Sequence, residues 1–332
     1  MKKICEYCSN EFNTDHPNRQ KYCNRKCYLA AVKERSTPKI QYIDLKPGIE
    51  SANMEEIFDA LIAYQDATHG LSQRQDRRNI KIDTKEPIYV ACLADIHVGA
   101  VGHKAREFRD TIEVLSSMPN TYIISCGDTT DNFLPTQHSE GQFEAICPPE
   151  IQKRIIEYMF GKLEGRILAL IQGDHDEFSH ITDDFDWTKY LCEKFGCPDL
   201  GFGGFINLTV GEQTYVIHAR HRFRFSSQMN LTHTVKRMRE QLGDFDIGVV
   251  AHNHQSSIEF VDMVDKTRVF VRPGSFKGAD RYARKIGFMD TGRSFMPIIE
   301  LHPKERVMNI YPDIHYLKYA KGLNDEEDKH HL

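Results

Sequence analysis

Five short segments of this 332-residue chain carry an excess of oxygen and imidazole donors: Asp95-Ile96-His97, Gly127-Asp128-Thr129-Thr130-Asp131, Gly173-Asp174-His175-Asp176, His218, and His252-Asn253-His254. Any one of them is weak, because Asp-x-His recurs by chance and a lone His is more often a satisfied polar residue than a ligand. Taken in order, each after a β-branched run, they make a strong signal. Carboxylates and imidazoles around two open-sited cations are the arrangement of two-metal hydrolysis. A second constellation opens the chain. Cys5-x2-Cys8 and Cys23-x3-Cys27 are two close thiol pairs with 14 residues between them, the arrangement four thiolates need to close a tetrahedron around Zn²⁺. Such a site has no open position, so its zinc would be structural; the alternative is four unpaired thiols.

These residues need elements to position them. From residue 87 the sequence alternates β-branched runs (88–93, 121–126, 167–171, 214–218, 246–251 and 268–271) with turns rich in Gly, Asp or His, usually followed by helical patterns. The alternation predicts an α/β sandwich whose strands deliver residues to one rim. Ile217-His218-Ala219-Arg220-His221 offers two candidate imidazoles, and strand-end placement favours His218. The scattered Cys92, Cys126, Cys147, Cys192 and Cys197 read as small buried apolar residues.

Ahead of this domain, the first 35 or so residues are too poor in apolar runs to bury a core, so zinc would supply their folding energy. A hairpin between the thiol pairs, around Phe12, and a helix over 28–35 are expected there. Ser36-Thr37-Pro38 marks a boundary, and Met54, Ile57, Phe58, Leu61, Ile62 and Tyr64 recur at helical spacing in a connector. The expected organisation is a zinc module over 1–38, a linker with one amphipathic helix over 39–86, the large domain over 87–301, and a C-terminal extension over 302–332 with an acidic run at 325–328.

Composition narrows the function classes. The chain is 40% hydrophobic and 27% charged, with no apolar run of membrane-spanning length and no apolar signal core after Met1-Lys2-Lys3, so a cytoplasmic location is expected and a membrane partner is not. Net charge is −5, too little for a whole-molecule field that draws in nucleic acid. Locally the balance differs: residues 1–38 hold eight Lys/Arg against four acids, a net of +4, leaving −9 for the rest. A basic zinc module on an acidic body suits nucleic acid, DNA first, although protein-docking modules look alike. Arg220-His221-Arg222-Phe223-Arg224 and Arg272-Pro273-Gly274-Ser275-Phe276-Lys277 interleave cations with aromatics, as groups that hold phosphates and stack bases do. Arg220, Arg222, Arg272 and Lys277 are therefore candidate substrate contacts; the alternative is a solvated face, or Arg paired with the body's carboxylates.

The five donor segments resemble the calcineurin-like metallophosphoesterase superfamily, whose pattern is D-x-H, G-D-x-x-D, G-N-H-D/E, a single His, and G-H-x-H, over roughly residues 87–301. Asp-Ile-His-Val-Gly and Gly-Asp-Thr-Thr-Asp also resemble the branch that contains double-strand-break repair nucleases. The resemblance implies a β-sandwich flanked by helices. It places Asp95, His97 and His254 on one metal, His218, His252 and Asp174 on the other, and Asp128 between them. It further implies that a metal-activated hydroxide attacks phosphorus in line while His175 donates to a nonbridging oxygen or the leaving group. Mn²⁺ is the expected ion, with Fe, Zn or Mg as alternatives. Asp131 and Asp176 are expected to orient imidazoles. Two positions depart from the pattern: Asp174 stands where the family has Asn, and Ala251 where it has Gly. The added carboxylate should tighten cation binding and repel an anionic substrate. The implied activity is hydrolysis of phosphodiesters, with cyclic or dinucleoside phosphates or phosphoproteins as alternative substrates. A reading of another class is an inactive nucleic-acid-binding or scaffold protein.

Overall fold

The computed structural model describes residues 1–36, 53–69, 77–134, 139–285, 287 and 292–322. The chain divides into two units, Met1–Gly70 and Leu71–Leu332. In the first, β1 (Lys2–Ile4) and β2 (Glu11–Asn13) form an antiparallel hairpin with Lys3 opposite Phe12. Cys5 and Cys8 lie in the turn of that hairpin, so the hairpin does not fall between the two thiol pairs as expected. The helix α1 (Arg25–Ser36) starts earlier than expected and carries Cys27 in its first turn. Of this unit's described residues only Cys5, Thr14 and Ala31 are buried, which bears out the lack of a core. The connector helix forms as α2 (Met54–His69), started by Asn53 Oδ1 accepting from the Glu55 N–H at 3.0 Å. Its end beyond residue 69, and the acidic run at 325–328, lie outside the described residues.

The second unit is a sandwich of two sheets with helices on both outer faces. It begins ahead of residue 87, because β3 (Arg77–Ile82) runs parallel to β7 (Gly203–Val210) at one edge of a sheet. In the other sheet β4 (Ile88–Leu93), β5 (Thr121–Ser125) and β6 (Ile167–Leu170) are parallel, joined through α3 (Ala105–Ser117) and α4 (Pro149–Gly161). After β6 come α5 (Asp174–Asp183) and α6 (Trp187–Phe195). A hairpin of β7 with β8 (Gln213–Arg220) then leads to α7 (His233–Leu242), β9 (Ile247–Val250), β10 (Ser257–Asp262), β11 (Thr267–Arg272) and the short α8 (Arg281–Lys285). β12 (Ile298–Leu301) returns beside β4, and β13 (Met308–Tyr311) pairs with β12 before α9 (Ile314–Ala320). The strand orders are β13–β12–β4–β5–β6 and β10–β11–β9–β8–β7–β3. Residues 302–322 are therefore part of the sandwich rather than an extension. β7, β10, β12 and β13 escape a search for β-branched runs followed by polar turns because they are hairpin or edge strands.

Period-two alternation builds the layers. Ile88, Val90 and Cys92 of β4 meet Ile206, Leu208, Tyr215, Ile217 and Ala219 of β7 and β8 between the sheets. On the outer face of the first sheet, Ala91, Leu93 and Ile123 pack on Phe108, Ile112, Phe160, Trp187 and Leu317. On the outer face of the second, Phe205, Val250 and Phe270 pack on Val235 and Met238 of α7. Each buried Val, Leu, Ile or Phe among them contributes about 1.5–3 kcal/mol by leaving water. No described helix is long and apolar enough to cross a membrane.

A polar tie holds one end of the second sheet. Buried Asp246 accepts the Val216 N–H at 2.7 Å and pairs with Lys266 at 2.6 Å and with Arg306. Burial alone would raise its pKa, but these three partners outweigh it and hold the carboxyl below its ordinary value. The stability it adds is thus present above about pH 4 and lost as pH falls through the depressed folded value. Asp246→Ala is expected to cost about 1–3 kcal/mol at neutral pH, because the Val216 N–H loses its acceptor and Arg306 its carboxylate, while Lys266 keeps Asp244. The difference from wild type should shrink in unfolding curves taken at progressively lower pH.

Candidate metal centre

The donor segments converge at one rim of the sandwich because each follows a strand whose neighbours deliver the others. Asp95 and His97 follow β4, Asp128 follows β5, Asp174 and His175 open α5 after β6, His221 follows β8, and His252 and His254 follow β9. Five of these residues have left-handed backbone: Asp95 (φ 47°), His97 (49°), Asp128 (52°), His252 (74°) and His254 (59°). Such conformations cost about 1–3 kcal/mol each where surrounding contacts enforce them, and they cluster at functional sites. The enforcing contacts are visible. The Asp176 carboxylate accepts from the backbone N–H of Gly173 (3.0 Å), Asp128 (2.8 Å) and Thr129 (3.1 Å) and from the Thr129 hydroxyl (2.7 Å). The His252 N–H donates to Asp95 Oδ2 at 3.0 Å and the His175 N–H to Asp128 Oδ1 at 2.8 Å. Gly173 is required here: a Cβ at that position would overlap the backbone nitrogen and Oδ1 of Asp128.

Three overlapping groups of donor atoms result, each within 4.8 Å: Asp95, His97 and His254; His97, Asp128 and His175; Asp128, His221 and His252. In the first, His97 Nε2 lies 3.2 Å from His254 Nε2, which is 3.3 Å from Asp95 Oδ1. In the last, His221 Nε2 lies 3.3 Å from Asp128 Oδ2 and 3.2 Å from His252 Nδ1. The same Asp128 Oδ2 is 3.7 Å from His97 Nε2, so one carboxylate oxygen faces both imidazole groups.

Divalent cations fit this donor set. Asp95 Oδ1 is buried without a hydrogen bond, and the His97 and His254 Nε2 atoms turn toward one another beside it. Burial, with Lys277 and His175 adding to it, pushes His97 down to about 3, leaving it in the neutral form that ligates. His221 shows the opposite pull: burial would lower it, but Asp128, Asp95 and Asp174 outweigh burial and raise it to about 10. The carboxylates of this cavity demand positive charge.

His221, rather than the expected His218, is the imidazole at the rim. On β8, Tyr215, Ile217 and Ala219 face the inter-sheet core, which sends Val216 and His218 to the opposite face. His218 is buried there with its ring 4.1 Å from Phe205 and 5.8 Å from Phe245, and burial, with Arg220 and Arg77, lowers its pKa to about 3. The strand runs two residues past His218, and His221 continues the inward series. The alternation Tyr215-x-Ile217-x-Ala219-x-His221 was the signal that could have found it.

The remaining positions fall into place unevenly. Asp131 Oδ1 stands 3.2 Å from His97 Nδ1, and the Asp131 carbonyl accepts the His175 Nδ1–H at 2.6 Å. Among the described residues Asp176 hydrogen-bonds no imidazole, contrary to expectation; it fixes the backbone that carries Asp128. Asp174 Oδ2 lies 2.8 Å from Arg222 Nη1 and 3.5 Å from His252 Nδ1. Arg272 is not a substrate contact: it is buried, donating to the Ala251 carbonyl at 2.6 Å and the Leu231 carbonyl at 3.2 Å, and so props the turn before His252. Lys277 is likewise committed, 3.0 Å from both Asp131 and Asp280. Arg220 lies over the Phe223 ring at 5.9 Å. The extra methyl of Ala251 packs in the inter-sheet core, so the departure from Gly is absorbed.

In the first unit, the four cysteine sulfurs also lie within 4.8 Å of one another, with Cys8–Cys23 at 3.7 Å and Cys23–Cys27 at 3.4 Å. A tetrahedron with Zn–S bonds of about 2.3 Å has edges of about 3.8 Å, so the sulfurs are spaced for zinc. The neighbouring Cys27 sulfur, together with burial, raises Cys23 to about 12.

No family model matches the chain. A curated relative, the DNA polymerase II small subunit of Thermoplasma acidophilum, is 31% identical over 104 residues, 30% of this chain and 21% of that protein. The chain thus spans about a fifth of that relative's length. Similar solved structures include Vps29 of Chaetomium thermophilum (14% identity, TM-score 0.35, covering 68% of this chain and 95% of that one). The calcineurin-like phosphoesterase YfkN of Bacillus subtilis is another, at 10% identity and TM-score 0.34, covering 72% and 97%. Likeness this low leaves function to the donor atoms.

Proposed function

We propose that the chain is a two-cation phosphoester hydrolase of the calcineurin-like kind that cuts phosphodiesters in nucleic acid, with DNA as substrate. The observation that carries the reading is Asp128, whose Oδ2 faces His97 Nε2 at 3.7 Å and His221 Nε2 at 3.3 Å. Asp95, His97 and His254 would hold one cation, His221 and His252 the other, and Asp128 both, with Asp174 in reach of the second. Divalent cations there, Mn²⁺ by the mixture of carboxylate and imidazole, would polarise a phosphoryl oxygen and lower the pKa of a water. The chain's own residues supply orientation and the proton. The Asp131 carbonyl can only accept, so His175 Nδ1 carries a hydrogen and Nε2 is the nitrogen left for substrate. From Nε2 the imidazolium donates to a nonbridging oxygen or protonates the leaving oxygen. The ring is held by His97 at 4.6 Å and by Phe133 and Phe178, each at 4.9 Å.

Nucleic acid is favoured by the net +4 on residues 1–38 and the exposed Arg222 beside the centre. The stretch shared with a polymerase subunit agrees with it, and favours as a second reading a site-bearing subunit that works on a larger complex.

The test is hydrolysis of labelled single- and double-stranded DNA by Mn²⁺-loaded protein beside cyclic and dinucleoside phosphates. His175→Ala should lower DNA cleavage by about 10²–10⁴-fold while Mn²⁺ still binds. Turnover of the small phosphates alone would overturn the nucleic-acid part of the reading.

A further inference from the structure

Resting on the hydrolase reading, we propose that Asp174 and Arg222 are an exchangeable ion pair: when a cation binds, Asp174 passes from Arg222 to the cation, and the freed Arg222 guanidinium takes the substrate phosphate. Asp174 stands at a junction. Its Oδ2 is 2.8 Å from Arg222 Nη1 and 3.5 Å from His252 Nδ1, yet the Asp128, His221 and His252 donors gather within 4.8 Å without it. The carboxylate is drawn aside by the guanidinium. A neutral amide at this position would need no such partner. Asp adds a third negative charge beside Asp95 and Asp128, and Arg222, the residue directly after His221, meets it.

Exchange requires a pair that is cheap to open. Arg222 is 65% exposed along its side chain and Asp174 30%, so water screens their attraction and the pair is worth no more than about fivefold in an equilibrium. A phosphate competes well for the guanidinium, since two parallel N–H donors match its oxygens. The other basic residues near the centre are committed elsewhere: Lys277 to Asp131 and Asp280, Arg272 to two carbonyls. Of the four cations singled out in the sequence, Arg222 alone is both exposed and bonded to a residue of the centre. The apparent cost of Asp174, repulsion of an anionic substrate, is thereby cancelled by its own partner.

Calorimetric titration of the full chain tests this with two probes, Mn²⁺ alone and inorganic phosphate added to Mn²⁺-loaded protein. Arg222→Ala should bind Mn²⁺ tighter, by up to about fivefold, because Asp174 no longer has to leave a partner, and phosphate about 10- to 100-fold weaker. In an Asp174→Asn background Arg222→Ala should leave Mn²⁺ affinity unchanged and still weaken phosphate. Unchanged or weaker Mn²⁺ binding in the single variant, or unchanged phosphate binding, overturns the exchange while leaving the hydrolase reading in place. A wild-type chain that takes up no Mn²⁺ at this centre overturns both.

Discussion

Replacing His221 with alanine is expected to lower affinity for the second cation by more than about 100-fold and to take phosphodiester turnover with it, whereas His218→Ala should leave both intact. The two histidines are three residues apart and differ in the face of β8 they continue. His221 Nε2 lies among Asp128 Oδ2 and His252 Nδ1 at 3.3 and 3.2 Å. Its removal leaves Asp128 and His252 too few donors for a cation against water. Outer-sphere partners of metal ligands already cost 10–100-fold, and a direct donor costs more. His218 sits in the opposite layer against Phe205 and Phe245, so its loss opens a cavity under α7 and should cost about 2–4 kcal/mol of stability. Metal stoichiometry by elemental analysis and thermal unfolding, run on both variants, separate the two effects. A His218 variant that loses metal and keeps its stability would reverse the assignment.

The second large effect belongs to the four cysteines. Cys23→Ser, or a strong chelator, should unfold residues 1–36, since only Cys5, Thr14 and Ala31 are buried there and nothing else offsets the chain's entropy. Structural zinc contributes about 10–16 kcal/mol of apparent binding free energy in small modules, far beyond what three buried residues supply. Amide spectra should show β1, β2 and α1 lost on chelation, while the unfolding transition of the sandwich persists. A module that keeps its structure without metal would show that the thiols are only neighbours. If the module tethers DNA, its unfolding should also weaken DNA binding and flatten the salt dependence, because eight of the chain's Lys/Arg lie in residues 1–38.

Residue types read well from sequence where chemistry restricts them and poorly where geometry chooses between equals. The Asp-x-His, Gly-Asp and His-x-His segments were legible because few residues ligate cations and strand ends gather them. The choice between His218 and His221 depended on where β8 stops, and an end placed two residues early hid the parity of the strand. Arg272 and Lys277 looked like substrate contacts because sequence shows charge but not burial; both are spent inside the fold. Asp176 was legible as a supporting acid, yet three of its four bonds come from backbone N–H groups, which no side-chain pattern reveals. β3 and β13 were missed because edge strands carry little β-branched signal: β3 reads Arg77-Arg78-Asn79-Ile80-Lys81-Ile82 and gains its place only by pairing with β7. The Asp174–Arg222 contact joins residues 48 apart in the chain and could come only from the fold.

The most direct test of the two-cation reading is turnover of bis(p-nitrophenyl) phosphate, a phosphodiester with no base to recognise, by the full chain loaded with Mn²⁺ and compared with Asp128→Asn. The wild type is expected to release p-nitrophenol, chelation to abolish the release, and the variant, whose side chain no longer carries the charge shared by both groups, to lose it by orders of magnitude. A chain that binds two Mn²⁺ ions at this centre and yet releases no p-nitrophenol would contradict that reading.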